Sequence, residues 1–271
     1  MGMILRVVCL SFLAMSTVAA EKVSADYWAF WDKSDEYNIS TIDHRTFDDF
    51  LNRYVVVNHP SGINRFRYGD ITKADKKQLK KYIKSLASID PREYRKAEQK
   101  AYWLNLYNAL TIRQVLDEYP IASLDEKGFK RKKQLKVAGV KLSLNDIENR
   151  ILRPVWQDHK VIFGLSCATV GCPNIQNQAF TSANTRKMLK RAGREFINHP
   201  RGLVFNKNEM KASRIFDWYQ DDFGTNEKQL MKLFAYYAED NKALYILGFQ
   251  GEIRYAYDAR VNSPDTVWPL D

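Results

Sequence analysis

The segment that most limits the fold of this chain is residues 101–112, Ala-Tyr-Trp-Leu-Asn-Leu-Tyr-Asn-Ala-Leu-Thr-Ile, within a helical pattern over about 97–119 that Pro120 closes. A surface helix carries one apolar stripe; this one is apolar on nearly every side, so it belongs in the middle of a core. Asn105 and Asn108 lie three residues apart and leave the helix on neighbouring lines. A buried amide without partners costs ~1–3 kcal/mol. Both side chains are therefore expected to bind loop backbone, which puts the helix beneath a loop. In the alternative, one of them orients a catalytic group.

The remaining patterns supply what packs around that helix. Helices are expected over 27–37 and 44–56, the second with Phe47, Phe50, Leu51 and Tyr54 at helical spacing. Thr72 opens a lysine-rich helix with Leu79, Tyr82, Ile83 and Leu86 inside and its lysines as a solvated face. The basic run 126–136 reads as an exposed loop leading into a hairpin about Ala138-Gly139. Ser143 to Asp146 has N-cap spacing, with a carboxylate near the positive end of the helix. Thr181 or Ser182 caps a helix to Asn198, a second hairpin covers 203–211, an amphipathic helix covers 228–240, and a last strand covers 252–257. Without repeats or low-complexity linkers, residues 21–271 read as one globular α+β domain. It is helix-rich, with a modest, mostly antiparallel sheet and the central buried helix.

The first twenty residues have the order of a secretory signal: a charged start, an apolar stretch over 7–18, and Val18-Ala19-Ala20 for cleavage after Ala20. That stretch is shorter than the ~20 residues a membrane span needs, and later apolar segments are interrupted by charges. The mature chain is expected to be periplasmic or secreted, with no transmembrane segment. The formal charge of +10 is spread over the chain and reads first as that of a generally basic exported protein with no partner specified; the alternative is an acidic partner, such as an anionic envelope component. No arginine-aromatic module accompanies the charge, so specific nucleic-acid binding is not expected.

Chemistry concentrates in 162–173, Ile-Phe-Gly-Leu-Ser-Cys-Ala-Thr-Val-Gly-Cys-Pro, an apolar strand-like run turning into a loop. Zinc spacing, a phosphate loop, a dinucleotide fingerprint and a nucleophile elbow are all missing, so no cofactor or metal is expected. Two readings of the loop stay open. Cys167 and Cys172 form a disulfide, five residues apart around Gly171 in an exported protein; this is the expectation adopted. Alternatively one of them is a nucleophile, with His159 or His199 as base and Asn105, Asn108 or Asp217 behind it. Ser166 and the acidic-aromatic pair Asp217-Trp218 complete the candidate binding residues beside Asn105 and Asn108.

Several motifs, Trp103-Leu104-Asn105-Leu106-Tyr107-Asn108-Ala109, Leu142-Ser143-Leu144-Asn145-Asp146-Ile147-Glu148, Ile151-Leu152-Arg153-Pro154, Ser166-Cys167-Ala168-Thr169-Val170-Gly171-Cys172-Pro173 and Ile215-Phe216-Asp217-Trp218-Tyr219, occur in order. Over about 47–262 the chain resembles the domain-of-unknown-function 547 family. That resemblance assigns no activity, although a relation to thiol hydrolases would suit the Cys loop. It implies a histidine where this chain has Ile162, another where it has Asn149, and an asparagine where it has Ser166. His159 is expected to be no substitute, since on a strand it would point to the opposite face from Ile162. The functional expectation is an exported, non-catalytic binding or structural protein. The alternative is a thiol-dependent hydrolase or transferase acting on an envelope amide or ester.

Overall fold

The computed structural model describes residues 22–124, 126–206 and 208–268. The signal segment and its cleavage point after Ala20 lie outside the described residues.

Helix α3, Lys96–Glu118, runs through the centre, with every residue from Ala101 to Ile112 buried. Its N-terminal side is roofed by aromatics: Trp31 meets Trp103 edge-on at 5.1 Å, and Trp103 meets Tyr102 at 4.9 Å. Helix α1, Arg45–Tyr54, and α2, Lys73–Ala87, pack beside it through the apolar residues their spacing placed inward. Thr72 caps α2 as expected, its Oγ1 accepting from the Asp75 amide at 3.1 Å.

Two short ladders flank these helices. Strands β1, Val55–Val56, and β2, Arg65–Phe66, pair antiparallel, as do β3, Leu135–Val137, and β4, Val140–Leu142. Ser143 and Asp146 then cap each other reciprocally, at 2.8 and 3.2 Å, at the start of a π-helical segment, Asp146–Leu152. The chain continues through α5, Arg153–Trp156, and α6, Lys160–Gly164.

Beyond the Cys loop, α7, Thr185–Asn198, packs on α6, and a three-stranded sheet forms from β5, Leu203–Asn206, β6, Glu209–Ser213, and β7, Glu252–Ala256. The β5–β6 pairing is antiparallel and β6–β7 is parallel. Between β6 and β7 lie α8, Ile215–Trp218, α9, Gln220–Phe223, α10, Glu227–Tyr237, and α11, Asp240–Gly248. The fold is a helix-rich α+β domain. Helix α6 joins its two apolar clusters, with Val161 in the α3 core and Ile162 and Phe163 in the core under the sheet.

Three expectations change. Residues 27–37 form only one 3-10 turn, Ala29–Trp31. The backbone there donates to the π-helical segment instead, from Asp26 to Asn149 O and from Trp28 to Arg150 O, so its rings reach the core without helical periodicity. The apolar run at 161–163 is helix, not strand; a short, fully buried run has no periodicity to separate the two. The basic run is not an exposed loop throughout, because α4, Glu126–Arg131, turns Phe129 and Lys130 inward, where buried carboxylates meet the lysines.

Candidate functional site

The two amides of α3 set the position of the Cys loop. Asn108 receives the Ser166 amide on Oδ1 at 2.8 Å and donates Nδ2 to Gly164 O at 3.0 Å. Asn105 makes the same reciprocal pair with Phe180, at 2.9 and 2.7 Å. Each side chain satisfies a donor and an acceptor of backbone that neither helix nor sheet would pair. Both are therefore committed to holding loop backbone over the helix. Ser166 is buried, and its Oγ accepts from Ala168 N at 3.4 Å.

The loop is closed on itself and laced to a late segment of the chain. The sulfurs of Cys167 and Cys172 lie at disulfide distance, with Cα atoms 5.9 Å apart. Val170 and Gly171 donate to Arg260 O and Asp258 O, both at 2.8 Å, and Asn262 donates to Ala168 O at 3.0 Å. The same segment reaches Ala122 through Val261 N and Phe66 through Asn262 O. Gly171 is required here, because a Cβ would meet Asp258 N and the Tyr257 ring at 2.8 Å.

Beside the loop is a narrow cleft of about 10 Å³, lined by Cys167, Ile162, Trp218, Tyr219, Lys130 and Glu148 among others. Glu148 is its charged centre. The carboxylate accepts from Tyr107 OH at 2.9 Å and from Tyr219 OH, and Lys130 Nζ stands 3.1 Å away. Burial pushes this carboxyl up, but Lys130, the Tyr219 hydroxyl and Arg153 outweigh it, so it stays below its ordinary pKa. Burial holds the Tyr107 phenol well above its own. The cluster is an ionised carboxylate with its acceptors filled. Sequence reasoning missed it; the signal available was a carboxylate inside a buried motif and a lysine run close by in sequence.

The histidines are elsewhere. His199 donates Nε2 to Ser61 O at 2.7 Å and accepts Arg201 N on Nδ1 at 3.1 Å, and burial lowers its pKa to about 4. It is a neutral ring with both nitrogens engaged. His159 pairs with Tyr237 OH at 2.9 Å, His44 with Tyr82 OH at 2.7 Å and His59 with Ser61 Oγ at 2.7 Å. His159 precedes α6 rather than alternating along a strand, and it is this tyrosine contact in the second core that occupies it. Of the acidic-aromatic pair, Trp218 lines the cleft and meets Tyr257 at a tilt, ring centres 4.8 Å apart, while Asp217 does not border it. The two positions where the resemblance implies histidines are also visible. Ile162 is part of the cleft wall, and Asn149 accepts from Arg153 Nη1 at 2.7 Å.

A second, larger groove of about 450 Å³ opens near His199, with an amide-rich lining of Asn64, Asn174, Gln176, Asn177 and Asn198. Trp268 stands beside His199 with ring centres 5.9 Å apart. Such a lining offers many hydrogen-bond donors and acceptors, with Arg191 and Glu195 also on it.

Fold and site together define a helix-rich α+β protein built around a clamped Cys loop. Residues 91–197, from just before α3 through α7, match the family model described as "Protein of unknown function, DUF547", and the likeness of the chain to that family is carried by this stretch. No curated protein and no solved structure was found to match it.

Proposed function

We propose that this chain is an exported protein that binds an anionic component of the cell envelope and catalyses no reaction through its cysteines. The observation that carries this reading is the composition of the cleft at Cys167. Its wall carries Ile162 where a thiol enzyme would need a base, and its sulfur lies at bonding distance from that of Cys172. Of the two bases the sequence offered, His199 has no lone pair left to take a thiol proton, and His159 is paired with Tyr237 in the second core. The Cys loop then serves as a cross-linked clasp that holds its surroundings in shape, and the basic charge of the chain supplies the attraction for an acidic partner.

The test is mass spectrometry of protein taken from its native compartment without reductant. The two cysteines are expected two hydrogens lighter than the dithiol, and envelope binding should survive the Cys167→Ser/Cys172→Ser double change. Free thiols, together with a hydrolysis that Cys167→Ser abolishes in a folded protein, would establish the thiol hydrolase or transferase instead. That second reading draws on Cys167 bordering the charged cleft of Glu148, Lys130 and Tyr219.

A further inference from the structure

Two arginines behind the amide-rich groove are buried without an acid. Arg65, on β2, has no exposed surface, and Arg201, in the turn after α7, is 6% exposed. Among the described residues, neither has a carboxylate oxygen within 4.0 Å. The acids whose charge they feel are already engaged: Asp258 in a fork with Arg260 at 2.5 and 2.9 Å, and Glu195 with Arg191 at 3.5 Å. Arg65 Nε and Nη1 and Arg201 Nε are buried with no acceptor.

The two guanidinium groups belong to one constellation. Arg65 Nη2 donates to Ser61 Oγ at 3.3 Å, and the same serine's carbonyl receives His199 Nε2. Arg201 Nη2 donates to Asn174 Oδ1 at 2.5 Å, and that oxygen also receives the amide of Asn64, the residue before Arg65. Asn64, Asn174 and His199 line the groove, which the two arginines themselves do not border. Arg201 Nη1 reaches Val170 O at 3.3 Å, which ties the constellation to the Cys loop.

An arginine keeps its proton at neutral pH even when buried, and a buried charge is retained only with a counter-charge. Burial and the neighbouring Arg65 lower the Arg201 pKa to about 9. We infer that Arg65 and Arg201 form a site for a phosphoryl group that enters from the amide-lined groove. Two positive charges match a phosphate dianion. Three donor nitrogens without an acceptor, Nε and Nη1 of Arg65 and Nε of Arg201, match its oxygens. The inference rests on the binding role proposed above and gives it a place and a ligand chemistry.

The experiment follows the thermal midpoint of the mature chain as inorganic phosphate replaces chloride at constant ionic strength, in the wild type and in Arg65→Met and Arg201→Met. At a hundredfold excess over Kd the wild-type midpoint should rise by about 5–10 °C, and both variants should melt cooperatively without that rise. A wild-type midpoint that phosphate leaves at its chloride value overturns the site, and so does an equal rise in the variants. Should the methionine variants not fold, Arg65→Lys keeps the charge and removes the planar guanidinium. Phosphate affinity measured by ³¹P line broadening must then fall at least tenfold, and an unchanged affinity overturns the site. Repeating the titration with glycerol 3-phosphate and with phosphatidylglycerol vesicles separates sources. A response to the free ion alone assigns free phosphate, and a response to ester or vesicle assigns a headgroup or polymer unit. Envelope binding that persists in both arginine variants removes this site and leaves the binding role standing. An intact phosphate response beside a Cys167-dependent hydrolysis does the reverse.

Discussion

Two of the places where the protein buries charge treat it in opposite ways. At the Cys167 cleft, Glu148 is surrounded by Lys130, Tyr107 and Tyr219, with Arg153 also acting on it, and each group answers another. Behind the amide-rich groove, Arg65 and Arg201 feel each other's charge, neither has a carboxylate within reach among the described residues, and three of their nitrogens have no acceptor. Desolvation is costly for an ion in either place. Where the cost is met internally the group is part of the architecture; where it is not, the protein is waiting for something to arrive. Burial of charge alone therefore does not identify a site. What identifies it is whether the charges close among themselves.

The contrast can be broken by substitution. Glu148→Gln withdraws a carboxylate from two buried cations and two phenols, and should cost about 3–5 kcal/mol of unfolding free energy in a denaturant titration. A loss under 1 kcal/mol would mean that the cluster is not a closed network. Next in size is Asn108→Ala, which strands the Ser166 amide and the Gly164 carbonyl. A loss of about 1–3 kcal/mol is expected, with faster amide exchange at Ser166 as the local sign. Acid titration comes third. His44 and His199 have pKa values lowered from 6.5 to about 4, burial being the main cause. The unfolded chain therefore binds more protons than the folded one in that window. Stability should be complete above pH 6.5 and fall toward pH 4 by up to about 1.4 kcal/mol per pH unit per histidine. A flat profile would mean that these rings are not buried neutral. The smallest effect is at the other charged region: Arg65→Met in phosphate-free buffer should leave stability within about 1 kcal/mol of wild type or raise it. A loss as large as that of Glu148→Gln would erase the distinction between the two regions.

Much of this was legible in local sequence. An all-round apolar helix with two amides gave the centre of the fold and a loop above it, because the number of sides a helix must bury can be counted from one segment. The Thr72 and Ser143 caps were readable for the same reason, since each partner lies three residues away. The run 161–163 was not, because full burial removes the periodicity that distinguishes helix from strand. Lys130 with Glu148, and Arg65 with Arg201, could not be paired from sequence. Their relation is set by tertiary packing, and a lysine in a basic run looks the same whether it faces solvent or a buried acid. Cys167 and Cys172 were visible as a pair, whereas the meaning of Ile162 emerged only when it was found in the wall of the Cys167 cleft.

The lacing of the Cys loop by residues 258–262 bears on the order in which the protein can be completed. Those residues follow every helix and strand in the chain, yet they supply the carbonyls for Val170 and Gly171 and the amide for Ala168. While the polypeptide is emerging, α3 and α7 can already be in place. The loop between α6 and α7 must wait for partners synthesised some ninety residues later. Non-local closure of this kind is slow and comes late. Its shape is therefore a finishing step, and a nascent chain stopped before Asp258 lacks the hydrogen bonds that lace Ala168, Val170 and Gly171 into place.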